Sequence, residues 1–297
     1  MCVTCGCSSG AQVRIDGVGD PTAQEHVHVL PDGSRIVHSH NSPPLDHDHF
    51  HGLHALAHVH EPAPVSFVPY EEPLGDIVEL ETAILDKNQR IAEHNRAWLI
   101  RRGVLALNMM SSPGAGKTSL LVRTLTDLRA DIPMTVVEGD QETSADAERI
   151  RATGARALQI NTGAGCHLEA DMLDRALRAL SPPADSLLFI ENVGNLVCPA
   201  LFDLGEAARV VVLSVTEGED KPLKYPHMFR SAQLMLLTKT DLLPHLTFDA
   251  DRAEANACAI NPELRCLRVS STSGEGLADW YAWLHNMRVG HRQKVVS

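Results

Sequence analysis

Basic charge is scarce in this chain: 26 Lys and Arg face 38 Asp and Glu, for a formal charge of -12. Nucleic acids and anionic membranes both select basic surfaces, so this balance argues against either as the main partner. Long apolar runs are missing too. A membrane-spanning helix needs about 18 or more consecutive apolar residues, and the sequence holds no such stretch. No positive segment followed by an apolar one opens the chain, so no secretory leader is expected and the expected compartment is the cytoplasm. The seven cysteines lack the spacing of a disulfide framework and would persist as thiols in a reducing compartment. The first sixty residues also lack any sustained apolar period, and with it the means to build a core.

Those sixty residues hold metal ligands instead. Cys2, Cys5 and Cys7 form a Cys-x-x-Cys-x-Cys start. Ten of the sixteen histidines follow: His26, His28, His38, His40, His47, His49, His51, His54, His58 and His60, set among Pro, Gly, Asp and Ser. Thiolate and imidazole are the soft and borderline donors that thiophilic transition metals prefer. Three thiolates with the terminal amine allow square-planar Ni2+ or tetrahedral Zn2+; a redox pair is the alternative. The dispersed histidines suit storage of several ions, or serve only as a solvated polar linker.

Composition changes near residue 65, where Pro62, Pro64, Pro69 and Pro73 form a stiff hinge. This places a flexible metal-binding extension at 1–75 and a second region at 76–297, led by a helix over 76–101. In that helix Ile77, Ile84, Ile91 and Trp98 recur every seven residues, with Leu80 on the same face. The stripe packs onto the following domain or forms a dimer seam. Beyond it, wholly apolar strands alternate with amphipathic helices such as Leu168 to Leu180, which predicts a doubly wound α/β domain with a mostly parallel sheet.

The first of these strands runs into Ser111-Ser112-Pro113-Gly114-Ala115-Gly116-Lys117-Thr118-Ser119 and then a helix, the strand–loop–helix setting a P-loop requires. Gly114, Ala115 and Gly116 let backbone N–H groups turn onto phosphate oxygens. Lys117 brings a cation to the β/γ phosphates, and Thr118 a hydroxyl to Mg2+. Ser111 stands where the first glycine is usual. Further on, Thr238-Lys239-Thr240-Asp241 ends a strand. Its Asp241 can accept from guanine N1–H and the exocyclic amine, while Lys239 covers the base. Thr238 departs from the commoner Asn, and an ATPase of related fold is the alternative that hangs on Asp241. Ser270 and Ser271 open a second guanine-reading loop, Ser270-Ser271-Thr272-Ser273-Gly274. Asp140 and Glu191 end strands on the P-loop side, so each is a candidate for holding Mg2+ or orienting water.

Cys166 and His167, expected to open a helix, and Cys198, in the loop after a neighbouring strand, leave the same edge of the sheet. They can converge on Ni2+ or Zn2+, although spacing alone also allows unrelated loop residues. Cys258 and Cys266 lie in or beside apolar segments and are expected to pack.

The Cys-x-x-Cys-x-Cys start, the His-rich stretch, the P-loop, Glu191-Asn192-Val193-Gly194-Asn195-Leu196-Val197-Cys198-Pro199 and the two base loops together resemble the HypB family, GTPases that help insert nickel into nickel–iron hydrogenase. The resemblance spans nearly the whole chain. It implies that Cys166, His167 and Cys198 form a metal site at a dimer interface. It also implies that GTP is bound and slowly hydrolysed to GDP, and that the homodimer responds to nucleotide. The implied partners are a small zinc-containing accessory protein (HypA-like), a metallochaperone prolyl isomerase and the hydrogenase large subunit. A nickel-storage protein whose GTPase domain only sets oligomeric state is the rival expectation.

Overall fold

A computed structural model of the protein describes residues 14–15, 24–29, 35–40, 74–140, 144–163 and 165–296. Cys2, Cys5, Cys7, His47, His49, His51, His54, His58 and His60 lie outside the described residues. In the unit spanning 17–75, which is separate from the larger one, β2 (Gln24–Val29) pairs antiparallel with β3 (Arg35–His40). This hairpin interrupts a stretch whose sequence offered no period of its own. The register sets His26 opposite His38 and Gln24 opposite His40.

The larger unit is the expected doubly wound sheet. Its strands are β4 (Leu105–Ser111), β5 (Met134–Asp140), β6 (Arg156–Asn161), β7 (Leu187–Glu191), β8 (Ala208–Ser214), β9 (Leu234–Thr238) and β10 (Arg265–Arg268). All pair in parallel, in the order β6-β5-β7-β4-β8-β9-β10, and the short β1 (Arg14–Ile15) runs antiparallel along the outer edge of β6. The expected alternation of apolar strands and amphipathic helices is present.

Strands covered on both faces need apolar side chains on both, and β4, β7 and β9 are buried at every position. One face is covered by α2 (Lys117–Leu128), α3 (Ala145–Arg151) and α9 (Leu277–Val296). There the Trp280 indole is wholly buried and donates to Thr124 Oγ1 across 2.9 Å. On the other face α4 (Ala170–Leu180) lays Leu173, Ala176, Leu177 and Leu180 against Val137, Ile160 and Ile190. Each such leucine contributes roughly 1.5–3 kcal/mol when fully buried. The short helices α5 (Cys198–Leu201), α6 (Lys221–Lys224) and α7 (Pro226–Arg230), with α8 (Ala250–Ile260), complete the chain.

The leading helix α1 (Leu74–Arg101) docks on this same chain, with Trp98 of the heptad stripe against the apolar cluster but with its most buried positions off the stripe. Ile84 is 38% exposed, and Ile91 and Trp98 are only half-buried. The buried positions are Asn88, Ala92, Asn95 and Leu99. Asn95 Nδ2 donates to the carbonyls of Ala170 (2.8 Å) and Leu204 (3.1 Å). Asn88 accepts from the Ala170 N–H (2.8 Å) and donates to the Asp203 carbonyl (2.7 Å). Arg96 pairs with both carboxylate oxygens of Asp203. The helix thus supplies the hydrogen bonds that irregular backbone at 203–205 and the start of α4 cannot make within themselves. A reading of apolar period alone misses a face whose burial is earned by asparagines.

No helix among the described residues is long and apolar enough to cross a membrane.

Candidate functional site

Parallel strands deliver their C-terminal ends to one edge, and an open α/β sheet binds ligands there. At that edge a cleft of about 470 Å3 is lined by Pro113 to Ser119, Glu138 to Asp140, Asp146, Arg149, Glu191 to Gly194 and Lys239. Its floor is the turn between β4 and α2. Gly114 and Gly116 take φ of +73° and +94°, which L side chains rarely adopt, and Gly116 directly caps α2. Backbone N–H groups and the positive end of the helix therefore face the cleft. The expected Gly114, Ala115, Gly116, Lys117, Thr118 and Ser119 line it together.

Lys117 is buried, and Nζ donates to Ser111 Oγ at 2.6 Å. Burial lowers its pKa, against the pull of Glu191 and Asp146. The serine at the usual glycine position thus gives the lysine a partner. Ser112, next to it, hydrogen-bonds Glu217.

The Thr118 hydroxyl lies 2.7 Å from Glu191 Oε1 and 2.9 Å from Asp146 Oδ2. Glu138 sits directly opposite Glu191 on the adjacent strand. Both are buried, and Glu138 Oε2 and Glu191 Oε2 each lack a hydrogen-bond partner. Burial, with Glu191 next to it, pushes the Glu138 carboxyl up to about 8. Burial pushes Glu191 up to about 7, with Lys117 and Thr118 pulling the other way. Two buried carboxylates with orphaned oxygens beside a threonine hydroxyl are the oxygen donors a hard divalent cation takes, so the residues present fit Mg2+. Asp140 ends β5 at the wall of the same cleft.

Sequence reading placed Asp140 and Glu191 but missed Glu138, Asp146 and Arg149. Glu138 carried a signal: it is the one charge in the otherwise apolar run Met134-Thr135-Val136-Val137, where burying a carboxylate is costly unless something compensates. Asp146 and Arg149 carried none. They form an ion pair of 3.0 Å on α3, and Arg149 also donates to Ser119 Oγ at 3.1 Å.

The two segments expected to read the base lie against each other. Asp241 Oδ1 accepts from Ser270 Oγ at 2.5 Å, so the two loops close on each other. Lys239, at φ +60°, donates to the Gly114 carbonyl at 2.7 Å and so lies along the P-loop. Thr238 Oγ1 donates to the Ala115 carbonyl at 2.6 Å. The departure from Asn at this position therefore keeps a tie between base loop and P-loop. Ser271 offers its carbonyl to Arg123 at 3.2 Å, which anchors the second loop to α2.

Cys166, His167 and Cys198 do converge: one donor atom from each lies within 4.8 Å of the others. Cys166 Sγ and His167 Nδ1 are 3.6 Å apart. His167 is buried against Phe202, ring centroids 4.0 Å apart, and Cys198 is fully buried. Burial lowers the His167 pKa to about 4, which keeps the imidazole neutral, the form that binds metal, across the physiological range. His167 Nε2 is buried without a hydrogen-bond partner, 3.9 Å from Glu169 Oε1. Two sulfurs and a neutral imidazole fit Zn2+ or Ni2+. One expectation fails. Cys166 and His167 do not open a helix: α4 begins at Ala170, with Glu169 as its cap in extended conformation. The donors sit in the preceding loop because a tight turn, closed by Gly165 N–H to the Thr162 carbonyl at 2.9 Å, interposes between strand and helix. Cys266 packs against the apolar cluster under α8, as expected, and the Cys258 thiol faces the Leu264 carbonyl.

Residues 105–268 match the family model described as CobW/HypB/UreG, nucleotide-binding domain. The chain is also 62% identical over 208 residues to hydrogenase maturation factor HypB of Rhizobium leguminosarum bv. viciae, covering 70% of each. The chain belongs to the HypB family of hydrogenase maturation factors. Against the HypB of Azotobacter vinelandii it is 48% identical over 290 residues, covering 97% of this chain and 93% of the relative. The crystal structure of HypB from Helicobacter pylori in complex with nickel superposes with a TM-score of 0.64 at 39% identity, covering 69% of this chain and 96% of that one. The P-loop cleft is lined by residues within the stretch that matches this nucleotide-binding domain.

Proposed function

We propose that this chain is a GTP-hydrolysing nickel metallochaperone that gates insertion of nickel into the large subunit of a nickel–iron hydrogenase. The observation that carries the proposal is the sharing of loops between two sites. The segment from Glu191 to Cys198 begins in the phosphate cleft and ends at a metal donor, and the segment from Asn161 to His167 begins beside Asp140 and ends at the other two.

In this reading the P-loop amides and Lys117 hold the β/γ phosphates, while Asp241 and Ser270 select guanine. Thr118, Glu191, Asp140 and Glu138 would hold Mg2+, which would supply positive charge at the phosphate oxygens. Hydrolysis to GDP removes the γ-phosphate contacts that order the cleft walls. Nickel is the cargo, taken by Cys166, His167 and Cys198; Zn2+ is the competing ion for the same donors. A homodimer sets two such clusters against each other. Cys2, Cys5 and Cys7 form a separate tight site, and the histidines from His26 to His60 are a reservoir on the extension 1–75. A zinc-containing HypA-like protein, a metallochaperone prolyl isomerase and the large subunit are the partners, all in the cytoplasm.

The test is release. Nickel-loaded protein is mixed with a chromogenic chelator, and GDP, GTP or a non-hydrolysable GTP analogue is added. Nucleotide-dependent release from wild type, lost in Cys198→Ser, is the expected result. Release at one rate in all three nucleotide states would remove the gating role and leave a nickel store. Deleting residues 8–62 separates the storage function: maturation should survive at ample nickel and fail under scarcity.

A further inference from the structure

The proposed gating needs a physical link from the cleft to the His167 side of the metal cluster, and the chain connection from Glu191 to Cys198 does not supply it. The residue after His167 does. Leu168 is fully buried, and each of its two functional parts is gripped by a different wall of the phosphate cleft. Its backbone N–H donates to Asn192 Oδ1 at 3.1 Å. Its side chain covers Gly139 so closely that a Cβ there would come within 2.8 to 3.0 Å of Leu168 carbons. Asn192 follows Glu191, Gly139 lies between Glu138 and Asp140, and both line the cleft.

Asn192 is itself held on all sides. It is 1% exposed, its Oδ1 also accepts from the Val193 N–H at 3.0 Å, and its Nδ2 donates to Asn108 Oδ1 at 3.2 Å. Such a fully engaged buried amide moves as a unit with its backbone, because any relative shift leaves a buried polar group unsatisfied. The opposite end of the metal loop is tied to the same wall: Thr162 N–H donates to the Asp140 carbonyl at 2.9 Å. The Leu168 amide nitrogen shares a peptide plane with the His167 carbonyl. Displacing that plane therefore turns the His167 backbone and swings the imidazole relative to Cys166 and Cys198.

We propose that Leu168 is the positioning residue that couples the nucleotide cleft to the metal cluster, reading the Glu191–Asn192 wall through its N–H and the Glu138–Asp140 wall through its side chain. The proposal rests on the gating reading above and deepens it. Gly139 fits this role because any side chain there would displace Leu168 from its seat. Asn192 fits because its amide accepts from Leu168 and donates to Asn108 at once.

Two measurements on the full chain test it. The first is the ratio of nickel affinities with GDP and with a non-hydrolysable GTP analogue, read by chelator competition with Cys198→Ser as background. Couplings of this kind typically fall at about 5- to 150-fold. A wild-type ratio of one would defeat the gating reading itself, whatever Leu168 does. With a wild-type ratio above one, Leu168→Ala should bring it near one, and Leu168→Met, which conserves volume, should keep most of it. A wild-type ratio retained in Leu168→Ala overturns the proposal. The second measurement needs no variant: hydrogen exchange at the Leu168 amide of the wild-type protein in the two nucleotide states. A changed protection is expected, and equal protection overturns the proposal.

Discussion

The phosphate cleft and the metal cluster stand on the same sheet edge and are built in opposite ways. The cleft is polar and dense in charge: Lys117, Glu138, Asp140, Asp146, Arg149 and Glu191 all face it. Its groups are largely paired before any ligand arrives, Lys117 with Ser111 and Thr118 with Glu191 and Asp146. The cluster holds two thiols and an imidazole, backed by Phe202, with His167 Nε2 lacking a hydrogen-bond partner. A site for a hard, phosphate-bearing ligand is organised by charge; a site for a soft ion is organised by exclusion of water. What couples them is the backbone they share, so changes at one site should separate cleanly from changes at the other.

The largest expected effect breaks the cleft alone. Lys117→Ala removes the cation from the β/γ phosphates and should lower affinity for GTP by about 100-fold or more, the loss of a charge-assisted hydrogen bond worth roughly 1.5–3 kcal/mol plus its Coulomb term. Equilibrium titration with a fluorescent GTP analogue checks this, and zinc binding at Cys166, His167 and Cys198 should be unaltered.

Asp241→Asn comes next. An amide presents a donor where guanine also donates, so guanine affinity should fall by about 100-fold and xanthine nucleotides should gain, as expected when a buried polar pair is mismatched. Competition between the two nucleotides reads the switch. An unchanged preference would mean that Asp241 does not touch the base, and the tie from Thr238 to Ala115 would then belong to a different specificity.

Glu138→Gln sharpens the comparison through pH. Free of metal, the Glu138 carboxyl titrates near 8 and Glu191 near 7, both above the ordinary glutamate value of 4.5. A group with a raised folded pKa contributes fully below its unfolded value and loses that contribution as pH rises through the folded one. The metal-free protein should therefore lose stability between about pH 4.5 and pH 8. Glu138→Gln should flatten that slope and raise the melting temperature at pH 8, by an amount on the order of 1–3 kcal/mol in free energy, the usual cost of an unsatisfied buried polar group. His167 carries the opposite sign. With a folded pKa near 4 against the usual 6.5, it costs stability as pH falls below about 6.5, because the unfolded chain takes up the proton first. His167→Phe should remove that acid-side loss in thermal scans, a smaller effect because burial moves the His167 pKa less far than it moves that of Glu138.

How much of this was legible beforehand follows from where each role resides. The P-loop was readable because its residues are contiguous in a fixed strand–loop–helix setting, and they line one cleft together; Asp241 and Ser270 come from separate loops, which a hydrogen bond joins. Cys166, His167 and Cys198 were readable only as a possibility from spacing, since their convergence depends on β6 and β7 both ending at one edge with β5 between them. Glu138 was harder still: its role arises from standing opposite Glu191 in register, which no local pattern encodes. The docking face of α1 was misread because two of its buried positions, Asn88 and Asn95, are polar and break the apolar period. Asn192 lay inside the Glu191 to Pro199 run and Leu168 at the start of an expected helix, neither with a role of its own, and the hydrogen bond between them is a tertiary contact that no local pattern encodes.

The central claim is that nucleotide state and nickel occupancy share one free energy. It is tested most directly by closing the cycle: the affinity of a non-hydrolysable GTP analogue, relative to GDP, is measured by calorimetry with and without nickel at Cys166, His167 and Cys198. Linkage requires that nickel change this nucleotide preference by the same factor by which the nucleotides change nickel affinity. An equal factor, clearly different from one, is the result predicted. A nucleotide preference indifferent to nickel would mean that the two sites merely share a sheet edge.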